Sequence, residues 1–498
     1  MKKLISSILA AVLAMSLMGC GNVNITNENN APDSAPDTAE NTAAENEKIS
    51  SADSQTPGDL SPSDSGSQDD SSQPDPLAVS YAVYPDTAPF PDEMLYVNND
   101  GSIDDTFWDA YELWDSDKRA RRTMLEDYEG ELNPFFADSI RQFLADSEGR
   151  NKIYSPINVY MALGMLAEVT EGESREQVLT LLGLSSVEDL RSQAYMIWNA
   201  NYLNDGANTS ILASSLWLNE DVNFIQSTLD SLAQNYYAST YQGVMGSDEL
   251  NRALQRWLNE QTGGLLGEQA SDVSLDDDTV MALATTINFH ARWNDEFFPE
   301  ATQSGVFHGT DGDVDCDFMH EDQSMYYWGE KFSAVVKYLQ SDGNMWFILP
   351  DEGVSVDELL QDEQAMEFIL GNKYEWENNE FVTVHLSVPK FDVSSDIDLT
   401  SGLKALGVTD VFDPAISDFT PMTSDTGEIY LSQAEHAARV KIDEKGCTAA
   451  AYTVMAAAGS AMPPEEEIDF VLDRPFIFLI TGAGDLPLFV GIVNRPVE

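Results

Sequence analysis

The stretch from Leu431 to Ile480 reads LSQAEHAARVKIDEKGCTAAAYTVMAAAGSAMPPEEEIDFVLDRPFIFLI. Its centre, Gly446 to Pro464, has no charged residue, although 22% of the chain is charged, and most of its side chains are small. Alanine favours helices, but a packed helix would carry large apolar residues at three- and four-residue spacing. Here only Tyr452, Val454 and Met455 are large. We therefore interpret the centre as an exposed segment that can enter a sheet as a strand.

Composition restricts the partners and the fold class. A formal net charge of -61 over 498 residues excludes charge-driven binding to nucleic acid or anionic lipid, because both would be repelled. With 43% hydrophobic residues the chain can build a large core. Apolar residues at helical spacing dominate the first half, as in NPFFADSIRQFLADSEG, whereas strand-like runs such as VTVHLSVPKFDV occur in the second. This order predicts an α+β fold.

The N-terminal region indicates export and anchoring. Lys2 and Lys3 precede the apolar run ISSILAAVLAMSLM, which is too short for a permanent membrane span and ends in LMGC. This pattern resembles a bacterial lipoprotein signal over residues 1–20, with Cys20 lipidated, and predicts an extracytoplasmic protein held at the cell membrane by its lipid or released. Residues 21–79 are rich in Ser, Asp and Pro and predict a disordered tether. An extension follows over residues 80–132, and the main domain over 133–498.

Several separated motifs, all in the same order, resemble those of the serpin family. They are Tyr154-Ser155-Pro156, Phe289 with Trp293, FILPDE at Phe347 to Glu352, VPKF at Val388 to Phe391, LSQAEHAARVKIDEKG at Leu431 to Gly446, and FVLDRPFIFLI at Phe470 to Ile480. The resemblance covers the chain from about Asn133 onward. It implies helices packed around a large mixed sheet, two smaller sheets and an exposed reactive-centre loop.

The resemblance assigns the uncharged stretch to that loop and implies a suicide inhibitor of serine proteases, with no catalytic residues and no cofactor. The implied scissile bond joins Ser460 to Ala461, although Gly459, Ala461 or Met462 could also be the bait residue. A small bait residue suits an elastase-like or subtilisin-like protease with a small specificity pocket. The alternative is a non-inhibitory serpin that acts as a surface binding or structural protein. The loop hinge consists of Glu444, Gly446, Cys447, Thr448, Ala449, Ala450 and Ala451.

Strand alternation tests whether the loop could insert. If Cys447 points inward, the inward face is almost entirely small, with Met455 as the exception, and Tyr452 points outward. Cys447 occupies a position where inhibitory members of the family carry Thr or Ser, and its oxidation would hinder insertion. From Gly446 to Ala451 the hinge contains neither proline nor charge, which favours inhibition over the non-inhibitory alternative.

The resemblance also implies a sheet-opening region formed by Ser155, Asn158, Thr285, Trp293 and His436. Asn158 and Thr285 occupy positions where the family often has Ser and Asn, and we hypothesise that the amide and hydroxyl exchanged places and kept one hydrogen bond. Ser155 and His436 are not expected to be a nucleophile and its base, because no nucleophile elbow surrounds Ser155.

Other ligand sites are not expected. The histidines form no H-E-x-x-H pattern, and DGDVDCDFMHED from Asp311 lacks the glycine and glutamate of a calcium loop. Cys316 and Cys447 are too few for a disulfide framework. We therefore expect a monomer without metal, whose partners are a target protease and, through its N-terminal lipid, a membrane.

Overall fold

The computed structural model describes residues 75–125, 132–265, 267, 271, 273–341, 343–425, 429–447 and 466–497. All of them belong to one unit that spans Asp70 to Glu498. The predicted signal peptide with Cys20 and most of the tether lie outside the described residues. So do the hinge residues Thr448, Ala449, Ala450 and Ala451 and the predicted scissile residues Ser460 and Ala461.

Helices cluster in the first half of the described chain, in agreement with the sequence pattern. The predicted helical spacing after Asn133 becomes a helix that buries Phe136, Ile140, Phe143 and Leu144. The α-helices are α1 (Thr106–Arg122), α2 (Asn133–Leu144), α3 (Pro156–Val169), α4 (Gly172–Leu181), α5 (Val187–Asn201), α6 (Gln226–Asn235), α7 (Asp248–Glu260), α8 (Val356–Gln361), α9 (Glu363–Leu370) and α10 (Leu399–Ala405).

The large sheet, called the first sheet below, contains the strands that surround the loop hinge. Its strands are β1 (Ala78–Ser80), β3 (Leu203–Asn204), β4 (Thr209–Asn219), β5 (Ala238–Gly243), β6 (Met281–Arg292), β12 (Phe391–Asp398), β13 (Gln433–Asp443) and β14 (Gly446–Cys447). The spatial order is β1-β5-β4-β6-β14-β13-β12, and β3 pairs with β4. The sheet mixes parallel and antiparallel pairs, since β4 is parallel to β5 and β6 to β13.

The remaining strands form a second, continuous hydrogen-bonded sheet. They are β2 (Lys152–Tyr154), β7 (Gln303–Gly309), β8 (Gly312–Trp328), β9 (Phe332–Tyr338), β10 (Asn344–Pro350), β11 (Asn379–Pro389), β15 (Glu467–Val471), β16 (Phe476–Thr481) and β17 (Pro487–Val493). The long strand β8 pairs with β7 and β11 and, through its last two residues, with β9. The two smaller sheets of the expected fold are therefore joined through β8.

Two apolar clusters lie on opposite faces of the first sheet. The larger one contains all of the buried apolar residues of α3, which are covered on every side, and most of the apolar strand residues of the second sheet. The smaller one lies between the sheet and α7, where Trp217 and Ala437 pack with Leu254, Trp257 and Leu258. Successive side chains of β6 and β13 point to opposite faces of the sheet, and an apolar cluster covers each face.

The extension that precedes the main domain packs against it through both backbone and side chains. β1 pairs with β5 at the edge of the first sheet. In α1 the indole of Trp114 is buried, and its Nε1 donates to Asp205 at 2.9 Å. β1 begins at Ala78, inside the segment 21–79 that we predicted as a tether, so the packed extension starts earlier than expected and lengthens the first sheet by one short strand.

Candidate inhibitory site

The hinge of the uncharged loop already lies within the first sheet. β13 ends at Asp443, the chain turns at Glu444 and Lys445, and β14 then runs antiparallel to both β13 and β6. Gly446 is paired with Asp443 on one side and with Arg292 on the other. The first two residues of the loop thus form the start of a strand between β6 and β13.

Close backbone contact explains why glycine occupies position 446. A Cβ atom there would lie 2.2 Å from the carbonyl oxygen of Ala291 and 2.8 Å from Cα of Arg292. Both are backbone atoms and cannot rotate away. Any larger residue would push β14 away from β6.

Cys447 points into the core, as the alternation requires for an inward position. Its side chain is buried, and its Sγ lies 3.8 Å from Sδ of Met345. Burial raises the pKa of the Cys447 thiol well above its usual range, with a smaller contribution from Asp443. The thiol is therefore neutral and acts as a small apolar side chain.

The turn before the loop is held by an ion pair and a hydrogen bond. Lys390 Nζ lies 2.6 Å from Glu444 Oε1, and the Thr302 hydroxyl donates to the same oxygen at 2.8 Å. Partial burial alone would raise the pKa of the Glu444 carboxyl, but these two donors lower it below its usual value. Glu444 is thus an anion that fixes the position of the hinge.

Trp293 belongs to this hinge rather than to the rest of the predicted sheet-opening group. Its indole is buried, its Nε1 donates to the carbonyl of Asp443 at 2.9 Å, and its backbone N–H donates to the carbonyl of Lys445 at 3.0 Å. Trp293 therefore connects the end of β6 to the turn.

Below the hinge, β6 and β13 pair directly with each other, and we call these pairs the closed seam. The parallel pairs run from Gln433 with Ala282 to Ala437 with Thr286. At the upper end the Thr286 hydroxyl donates to the carbonyl of Ala437 at 3.0 Å. A strand that continued β14 would have to separate these pairs.

The other predicted sheet-opening residues meet directly beneath the closed seam. The backbone N–H of Ser155 donates to Nε2 of His436 at 3.1 Å, and the Ser155 hydroxyl accepts from the N–H of Asn158 at 3.4 Å as the cap of α3. Complete burial lowers the pKa of His436 to about 4. Because Nε2 accepts a backbone N–H, His436 is neutral and is not the base of Ser155.

The predicted hydrogen bond between Asn158 and Thr285 is wrong. Asn158 Nδ2 donates to the carbonyl of Thr286 at 2.6 Å, whereas the Thr285 hydroxyl donates to the carbonyl of Ala213 at 3.4 Å. Asn158 thus binds the backbone of β6, one residue beyond the side chain that we expected. Sequence reasoning missed Thr286, which joins α3, β6 and β13.

Comparisons with known proteins agree with this architecture. A family model described as "Serpin (serine protease inhibitor)" matches residues 131–496. The chain belongs to the serpin family. Among curated relatives, Serpin-ZX of Arabidopsis thaliana is 28% identical over 370 residues, which are 71% of this chain and 94% of the relative. The leukocyte elastase inhibitor of Homo sapiens is 28% identical over 376 residues, 71% of this chain and 96% of the relative.

Solved structures give the same result for this serpin. The crystal structure of the thermophilic serpin tengpin in the native state is 26% identical, with a TM-score of 0.64. The match covers 73% of this chain and 93% of tengpin. The structure of Arabidopsis AtSerpin1 in its native stressed conformation is 25% identical, with a TM-score of 0.62 over 76% of this chain and 97% of that one.

Sequence reasoning also missed two groups that surround the hinge and seam of this serpin. Lys390 is part of the VPKF motif, but nothing in the sequence indicated that it pairs with Glu444. Glu435 lies on the α7 side of the closed seam, where burial and then Asp396 and Asp398 raise its pKa to about 7, against a hydrogen bond from Gln433. No sequence signal singled it out, because β13 also carries Arg439, Lys441 and Asp443.

In the part of the chain that the structure describes, no group of three or more His, Cys, Asp or Glu side chains is arranged to hold a metal ion. Cys316 and Cys447 are both buried and free. None of the described helices has the length and apolar character needed to cross a bilayer.

Proposed function

We propose that this serpin inhibits a serine protease by suicide-substrate trapping. The protease would cleave the loop at the bond from Ser460 to Ala461, and the loop would then continue β14 between β6 and β13 before the acyl-enzyme is hydrolysed. Strand insertion of the cleaved loop into a sheet, which releases stored strain, is the general mechanism of inhibitory serpins. The specific support in this chain is the register of the two strands that must separate.

One observation carries the proposal. β6 and β13 have the same mutual offset in the closed seam as they have on either side of β14, where Asp443 and Gly446 face Arg292. The two strands therefore need only move apart, without sliding along each other, to admit a longer strand. A one-residue slip would turn every side chain of an inserted strand to the wrong face, and this geometry avoids it.

The balance of hydrogen bonds favours insertion. Separation breaks one parallel ladder, from Gln433 to Ala437. A continued β14 gains two antiparallel ladders, one with each neighbour, and antiparallel pairing is the slightly more stable type. With a net contribution of about 0.5–1.5 kcal/mol for each hydrogen bond, replacing one ladder by two stabilises the inserted state.

For the target we propose a protease with a pocket for small side chains, such as an elastase-like or subtilisin-like enzyme. The predicted bait residue Ser460 follows Ala457, Ala458 and Gly459, and no basic residue occurs in the loop. The leukocyte elastase inhibitors among the curated relatives support the elastase-like choice.

The test is incubation of the domain from residue 75 onward with an elastase-like and a subtilisin-like protease. We expect a covalent complex that survives denaturing electrophoresis, with cleavage after Ser460 by mass spectrometry. Cys447→Arg places a charge in the buried hinge and should turn the inhibitor into a substrate, whereas the matched variant Cys447→Thr should still form the complex. Cleavage of the unsubstituted protein without any complex would refute the proposal.

We further propose that Cys20 is lipidated and that the residues from 21 up to β1 act as a tether that holds a monomeric inhibitor outside the cell membrane. The support is the LMGC pattern and the composition of the tether. For about 57 flexible residues the root-mean-square reach is roughly 40 Å. Metabolic labelling with a fatty-acid analogue should mark the full chain and not its Cys20→Ser variant. Equal labelling of both would contradict this.

A further inference from the structure

The face of the first sheet that carries α7 contains an apolar groove above the closed seam. We call it the α7 groove, and it is lined by Trp217, Leu254, Leu258, Ala282, Ala284 and Ala437. Its free space is about 10 Å³, enough for about one water molecule. The alanines belong to β6 and β13 and form the floor of the groove on the side of the sheet.

The register of β14 shows which loop residue would reach this groove. Cys447 faces Ile442 of β13 and Ala291 of β6. A strand that continues in this register places Tyr452 between Ala437 and Thr286, the two residues that form the upper pair of the closed seam. Since Cys447 points into the core, alternation directs Tyr452 to the opposite face, toward α7.

We propose that Tyr452 docks into the α7 groove when the cleaved loop inserts. This inference rests on the proposed function and deepens it, because it makes Tyr452 a positioning residue for the inserted state. Tyr452 is the one bulky aromatic residue of the uncharged stretch. Its position lies at the upper end of the groove, where Ala437 forms the floor, and the next outward residue, Val454, falls between Glu435 and Ala284.

The neighbours of the next outward position up the strand strengthen the inference. Ala450 falls between Asn288 of β6 and Arg439 of β13, two large side chains. Asn288 lies against Gly263 after α7, and Arg439 donates to the carbonyl of Leu265. In the inserted strand the small Ala450 would thus lie beside two large side chains, whereas the large Tyr452 would lie beside the smaller Ala437 and Thr286. Complementary volumes of this kind are a property of well-packed interiors.

The groove becomes large enough only when the seam opens. A tyrosine ring cannot occupy a space of about 10 Å³. Insertion of one strand separates β6 and β13 by a further strand spacing of about 4.8 Å, which widens the floor beneath Leu254 and Leu258. A buried tyrosine hydroxyl needs a partner, and Gln433 and Glu435 line the same groove. Docking is therefore confined to the inserted state and stabilises it selectively.

The experiment compares intact and loop-cleaved forms in guanidinium chloride. Tyr452→Ala should lower the unfolding midpoint of the loop-cleaved form by about 0.5 M, from the loss of one buried aromatic side chain, and leave the intact form unchanged. The swapped variant Ala450→Tyr/Tyr452→Ala keeps the composition and the outward face but moves the ring against Asn288 and Arg439. It should lose the stabilisation and raise the fraction of inhibitor consumed as substrate.

The outcomes separate this inference from the proposed function. If the loop-cleaved wild type is no more stable than the intact form, insertion itself fails. If cleavage stabilises the wild type but Tyr452→Ala and the swapped variant have the same midpoint as wild type in the cleaved form, insertion stands and docking of Tyr452 is refuted. Equal losses in the intact and cleaved forms would also refute it, because the ring would then be packed before cleavage.

Discussion

Protonation of Glu435 should change the stability of the closed seam. The carboxyl lies on the α7 side of β13, paired with Ala284 across the seam and with Asp398 across β12. Burial is the main reason why its pKa is raised from 4.5 to about 7, and the neighbouring acids Asp396 and Asp398 add to the effect. Above pH 7 the native state therefore holds a carboxylate in an unfavourable place, in one of the two strands that must separate.

The sign and the size follow from the two pKa values. In the unfolded chain Glu435 ionises near 4.5, whereas in the native state it keeps its proton up to about 7. The contribution of Glu435 to the free energy of unfolding is therefore fully present below pH 4.5 and is lost as the pH rises through 7. At about 1.36 kcal/mol for each pH unit the full loss would be about 3 kcal/mol. Because the carboxyl is only half-buried, solvent screening reduces this to about 1–2 kcal/mol.

His436 acts in the opposite direction over the same range. Its pKa is about 4 in the native state and 6.5 in the unfolded chain. Its contribution to stability is present above pH 6.5 and is lost as the pH falls through 4. The two neighbouring residues thus offset each other in the wild type between pH 4.5 and pH 7.

Urea unfolding of wild type and Glu435→Gln at pH 4.5 and pH 8 tests this. The free energy of unfolding of Glu435→Gln minus that of wild type should be about 1–2 kcal/mol larger at pH 8 than at pH 4.5. Glu249→Gln, which removes an exposed carboxylate of α7, controls for the loss of one negative charge. A difference between wild type and Glu435→Gln that stays constant with pH would show that the reasoning about Glu435 is wrong.

Three further substitutions test the hinge and the region beneath the seam. Gly446→Ala would place Cβ against the carbonyl of Ala291 and should destabilise the intact form by about 1–3 kcal/mol and slow complex formation, as measured by urea unfolding and by stopped-time electrophoresis. Lys390→Met removes the cation beside Glu444 and should lower the free energy of unfolding by about 1 kcal/mol at pH 7. The variant should also lose less stability than wild type between pH 5 and pH 3, as unfolding of both proteins at both pH values would show. Asn158→Leu leaves a buried backbone carbonyl of β6 without its donor and should lower stability by about 1–3 kcal/mol, measured by thermal unfolding; an unchanged Tm would contradict it.

Local sequence determined the elements of this protein and the character of its loop. Periodicity predicted the helix after Asn133, and alternation showed that the loop residues on the same face as Cys447 are almost all small, because each follows from backbone geometry within a few residues. Ordered motifs predicted the serpin family, which the family model confirms. The absence of charge between Gly446 and Pro464 is likewise visible without any structure.

Tertiary structure alone decided which distant residues meet. Asn158 binds the carbonyl of Thr286 instead of the side chain of Thr285, because the register of β6 over α3 is set by pairing with β4 and β13 rather than by any local pattern. For the same reason Lys390 meets Glu444 at the hinge, and the Ala437 floor lies where Tyr452 would arrive. A shift of one residue exchanges the two faces of a strand, so these contacts depend on long-range register that periodicity cannot supply.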